Sequence, residues 1–127
     1  MVEEGFKMAR NIKNYEVFQL AHQMVLKIYA ITKNFPTEER YGLTSQFTRA
    51  AYSILMNLIE GGAKLGERDF RRFVDISIGS CAEVEYQIEL CHDLNYLSEA
   101  DFIELSENYQ RIGKMLNRLM QRLITNE

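Results

Sequence analysis

Tryptophan is absent from the 127 residues and proline occurs once. One proline and seven glycines leave little material for loops, so long regular elements with short connections are expected. Cysteine is as scarce, with only Cys81 and Cys91. Placed on one helix they lie ~15 Å apart along its axis, too far for a disulfide, and packing is their expected role. Histidine is limited to His22 and His92, which gives a metal centre little to work with. No Walker sequence, no G-x-S-x-G and no glycine-rich loop after a strand is present. A membrane span needs ~20 apolar residues. The uncharged run 50–59 has ten and includes Ser53 and Asn57. The opening MVEEGFKMARNIKN carries charge where a signal peptide needs an apolar core. With two cysteines and no such signal, a reducing cytoplasm is the expected location, without a membrane partner.

What is there suits one domain with one core. Hydrophobic residues make up 46% and charged residues 26%, with a net charge of -3. That acidic balance weighs against nucleic acid in general, though it leaves room for a local basic face.

Residues 1–13 read as a mixed-charge tail that frays, ahead of a single domain over 14–127. From Tyr15, the residues Val17, Phe18, Ala21, Met24, Val25, Ile28 and Tyr29 form one apolar face of a first helix, which stops near Asn34 ahead of Phe35-Pro36. Thr37-Glu38-Glu39-Arg40 makes a polar corner. The second helix runs over 43–61, with Gly61 and Gly62 as a left-handed stop. A third follows over 67–94, its inner stripe running from Phe70 and Phe73 through Ile76, Ser77, Ser80, Val84, Ile88 and Cys91 to Leu94. Ser77, Gly79 and Ser80 are small enough for close helix approach, and Asn95 suits a left-handed exit. Ser98-Glu99-Ala100-Asp101 opens a fourth helix as a capping box with Asp in the usual Glu place. Its apolar residues Phe102, Leu105, Tyr109, Ile112, Leu116, Leu119 and Leu123 alternate spacings of three and four, a heptad seam. The fold class is therefore all-α, an antiparallel up-down-up-down four-helix bundle.

The stretch GLTSQFTRAAYSILMNLIEGG organises the chain. On a helix its polar residues Gln46, Arg49, Ser53, Asn57 and Glu60 fall on one narrow stripe, and nearly everything else is apolar or small. Antiparallel pairing with the third helix brings Arg49 level with Glu83. The stripe then forms an internal or intersubunit polar network, or else faces water. One bundle cannot cover so apolar a helix, so a homo-oligomer is expected.

Other candidates carry less. Glu89 and His92 form an E-x-x-H, half of a di-iron motif, but the chain holds no second copy, so a solvated helix face is the simpler reading. Gly61, Gly62 and Gly66 with Lys64 and Arg68 could cradle phosphate, and a plain helix-loop-helix turn needs no ligand. No catalytic residue, cofactor, metal or small-molecule substrate is assigned. Eight acids and no Lys or Arg lie between Glu83 and Glu107, while Arg111, Lys114, Arg118 and Arg122 follow with no acid among them. Those four bases line one face of the fourth helix. They are either a phosphate-tracking stripe for RNA or DNA or a solvated face supported by a Glu107–Arg111 pair.

The residues YEVFQLAHQMVLKIY, then Phe35-Pro36 with Glu38, Glu39 and Tyr41 to Thr44, resemble the 23S rRNA-intervening-sequence proteins, also called four-helix bundle proteins. The resemblance continues through Gln46, Arg49-Ala50, Ser53-Ile54, Asn57 and Glu60-Gly61. It extends through Phe70, Arg72-Phe73, Ile76, Gly79-Ser80, Glu83 and Glu85 to Leu94-Asn95-Tyr96-Leu97. It implies the antiparallel bundle, a ring-shaped homopentamer and no catalytic residues. The family name records genes inside intervening sequences of large-subunit rRNA. More distantly similar bundles are reverse-transcriptase accessory proteins of diversity-generating retroelements, with strongly basic surfaces. This chain departs from those in being net acidic, and from the family pattern at Gly66, Ser77 and Asn95.

Overall fold

A computed structural model describes residues 10–125. Within them, four long helices carry the fold: α1 (Glu16–Thr32), α2 (Leu43–Gly62), α3 (Glu67–Asp93) and α4 (Glu99–Thr125). No strand occurs among the described residues. Short 3-10 turns sit at Ile12–Asn14 and Thr37–Glu39. α1 packs on α2 and α4, and α3 packs on the same two neighbours.

Each helix follows from its apolar spacing. In α4 the seam residues Leu105, Tyr109, Ile112, Leu116, Leu119 and Leu123 are all buried. Ser98 caps that helix, its Oγ accepting the Asp101 N–H at 3.1 Å. At the end of α3, Asn95 takes the left-handed conformation at φ 64°. Tyr96 N–H donates to the Cys91 carbonyl and Asn95 N–H to that of His92, so two orphan carbonyls are satisfied.

The end of α2 differs from the sequence expectation. Gly61 and Gly62 are helical and buried, and neither takes a positive φ. Their role is close approach. A Cβ on Gly61 would stand 2.7 Å from the Phe73 Cβ, and one on Gly62 would stand 3.1 Å from the Ile12 Cβ.

The expected tail also differs where it is described. The Arg10 N–H donates to the Gly62 carbonyl at 3.0 Å, and Ile12 is buried. Arg10 pairs with Glu67 and lies 4.2 Å over the Phe70 ring. Residues 10–13 are thus docked on the ends of α2 and α3, while the rest of the expected tail lies outside the described residues.

Candidate functional site

The face of α2 turned away from the core is the surface with the least explained by a single bundle. Inward, Phe47, Ala50, Ala51, Ile54, Leu55, Leu58, Gly61 and Gly62 are buried. Outward lie Tyr52, Met56 and Ile59, with Met56 58% exposed. Ile76 and Tyr86 of α3 and Leu26 and Tyr29 of α1 are also exposed. Tyr29, Ile76 and Leu94 depart from the inward positions their spacing suggested. Each sits at the edge of its stripe, where a small angular offset decides between core and water.

The polar stripe divides by depth. Its centre is a latch between α2 and α3. The Ser53 and Ser80 hydroxyls bond at 2.9 Å, and Asn57 Nδ2 donates to the Ser53 carbonyl at 2.8 Å and to its Oγ at 3.1 Å. Beneath them the Ser77 hydroxyl donates to the Ile54 carbonyl at 2.9 Å. Ser80, rather than its neighbour Gly79, is the partner of Ser53. Small residues here let hydroxyls reach across a close helix contact, whereas Gly79 itself faces outward.

The flanks of the stripe behave differently. Gln46, Arg49 and Glu60 are exposed, as is Glu83. No ion pair joins Arg49 to Glu83 or to any other described residue. The internal form of the expected Arg49–Glu83 network is therefore not made within one chain.

The other candidates resolve individually. Arg111, Lys114, Arg118 and Arg122 are all exposed, and Arg118 and Arg122 border a shallow groove with Tyr15, Glu16 and Met115. The expected Glu107–Arg111 ion pair is not among those formed by the described residues. In the E-x-x-H, Glu89 is exposed and His92 turns to α4, with Nε2 2.9 Å from Glu99 and the ring stacked 3.8 Å from Phe102. No group of three or more metal-binding side chains occurs among the described residues. Cys81 and Cys91 are free and buried, and desolvation pushes both thiols up to about 12, so they stay protonated at neutral pH. Gly61 and Gly62 lie inside α2, packed on Phe73 and Ile12, so neither belongs to the phosphate cradle their sequence allowed.

Two sets of contacts were not legible beforehand. Lys27 of α1 reaches Asp101 at 3.2 Å and Glu104 at 3.0 Å on α4, and those carboxylates raise its pKa. The Tyr96 hydroxyl donates to Glu39 at 2.9 Å, tying the α3–α4 turn to the corner before α2. Both join residues far apart in the chain, where local spacing carries no signal.

A family model described as 23S rRNA-intervening sequence protein matches residues 13–118. No curated protein matches the chain. Among solved structures, the chain is similar to a protein with unknown function from the S23 ribosomal protein family of Bacteroides thetaiotaomicron VPI-5482, at TM-score 0.76 and 21% identity. That likeness covers 83% of this chain and 95% of the other, and it concerns the fold.

Proposed function

The chain belongs to the 23S rRNA-intervening sequence protein family, and from that premise we propose that it is a non-enzymatic scaffold or adaptor that works by self-assembly. Its unit is an up-down-up-down bundle. In support, Ser53 meets Ser80 while Gly61 meets Phe73, and Cys81 meets Tyr109 while His92 meets Glu99, so residue numbers run oppositely across both contacts. Lys27 with Asp101 and Phe35 with Phe47 fit the same alternation.

The observation that carries the reading is the outer face of α2. Tyr52, Met56 and Ile59 lie exposed on a helix whose opposite side is fully buried. A continuous apolar face of this kind is rarely left to water. Closed rotational symmetry covers it without leaving a sticky end, and the family resemblance favours a ring of five. The non-enzymatic part is supported by the protonated thiols. No helix among the described residues is long and apolar enough to cross a membrane. Two buried free thiols suit the reducing cytoplasm. Light scattering tests the reading. The particle should be several chains in mass, and Met56→Glu should reduce that mass without loss of helix. An unchanged particle would remove α2 from the interface.

A second reading rests on the four exposed bases of α4, which are open to a polyanion. It expects RNA binding that weakens steeply with salt and is lost on charge reversal of Arg111, Lys114, Arg118 and Arg122. The scaffold reading expects negligible binding at physiological salt.

A further inference from the structure

The exposed residues of α2 and α3 form two strips of matched spacing. On α2, Arg49, Tyr52, Met56 and Ile59 succeed each other at intervals of three, four and three. On α3, Ile76, Gly79, Glu83 and Tyr86 do the same. All eight are exposed.

Gly79 is the anomaly. It lies inside α3, where glycine weakens a helix relative to alanine. An added Cβ there would meet nothing within 4 Å, so no contact of this chain requires the glycine. Close approach by another helix does require it. Arg49 and Glu83 are a second anomaly, opposite charges set among exposed apolar residues with no partner among the described residues. One register answers both. Laid antiparallel with Arg49 on Glu83, the strips bring Tyr52 toward Gly79 and Met56 to Ile76. Positions 49 to 56 and 83 to 76 span the same seven residues, ~10.5 Å of helix rise.

Resting on the self-assembly reading, we infer that α2 of one copy packs antiparallel on α3 of a second copy, with the Tyr52 ring over the partner's Gly79 and Arg49 paired with the partner's Glu83. The partner is a second copy of this chain because each strip carries the charge and the shape that the other lacks. The glycine leaves room for the large ring, and the ion pair fixes the register that the apolar residues alone would leave free to slide.

Three variants test this, with mass and far-UV circular dichroism measured together. Arg49→Glu and Glu83→Arg should each weaken association by about tenfold or more while the chain stays helical. Mixed in equal amounts, the two should associate again, because contacts between unlike variants place opposite charges together, in a ring of five at up to four of its five contacts. Pairing within one chain cannot produce that rescue. Gly79→Gln, which meets open space in the single chain, should fold fully and assemble poorly. A wild-type protein that assembles, with single variants assembling equally well or a mixture showing no rescue, overturns this interface and leaves self-assembly standing. A wild-type protein that never assembles overturns the self-assembly reading itself. If either charge reversal unfolds the chain, Gly79→Gln decides alone, and its full assembly would overturn the interface.

Discussion

Glu85 on α3 borders a groove with Ile88, Glu89, Phe102, Ser106 and Gln110. Desolvation there raises its pKa above the ordinary 4.5. The folded state therefore holds the proton more tightly than the unfolded chain, and stability falls as pH rises through that interval. Glu85→Gln removes a charge that the fold disfavours. The variant should melt higher than wild type at neutral pH, by less than about 1 kcal/mol because water still reaches the carboxylate. The advantage should fade as pH falls through and below 4.5, as the carboxyl takes up its proton in both the folded and the unfolded chain. Thermal melts on either side of that pH check it, and a variant less stable at neutral pH would mean that Glu85 has a favourable partner. Lys27 works in the opposite sense. Its pKa is raised by Glu104 and Asp101, so its contribution is present below 10.5 and is lost at higher pH.

At the scale of elements, the helices were legible because apolar periodicity and stop signals agree. α1, α2 and α3 begin and end within two residues of the positions their spacing implied, and Asn95 and Ser98 act as the exit and cap that their chemistry suggests. The glycines at the end of α2 were misread. Their local chemistry permits a left-handed stop, but the approach of Phe73 and Ile12 is tertiary and leaves no trace in local spacing. This difference makes a prediction. Gly61→Ala should improve helix propensity by up to ~1 kcal/mol and still destabilise the protein by about 1–3 kcal/mol, because the new Cβ would lie 2.7 Å from the Phe73 Cβ. Chemical denaturation measures the balance. A stabilised Gly61→Ala would show that α2 and α3 can separate there without cost.

For the whole molecule, the sequence revealed that helix two holds more apolar surface than one bundle covers, but not where that surface goes. Tyr52 and Met56 and the buried Leu55 and Leu58 all belong to one apolar stretch. Only the packing of α1 and α3 decides which of them remain outside. The polar stripe was legible as a stripe, and its centre, Ser53 and Asn57, forms the contact with Ser80 of α3. The exposure of Arg49 and Glu83 was not legible, since it depends on the angle at which α2 and α3 turn about their contact. The central claim is that this outer face is covered by further copies of the same protein. Multi-angle light scattering over a dilution series in the micromolar range tests it most directly. The account predicts a mass several times the 14.9 kDa of one chain, nearest five copies, falling only on strong dilution. A mass of 14.9 kDa throughout, with no dependence on concentration, would contradict it.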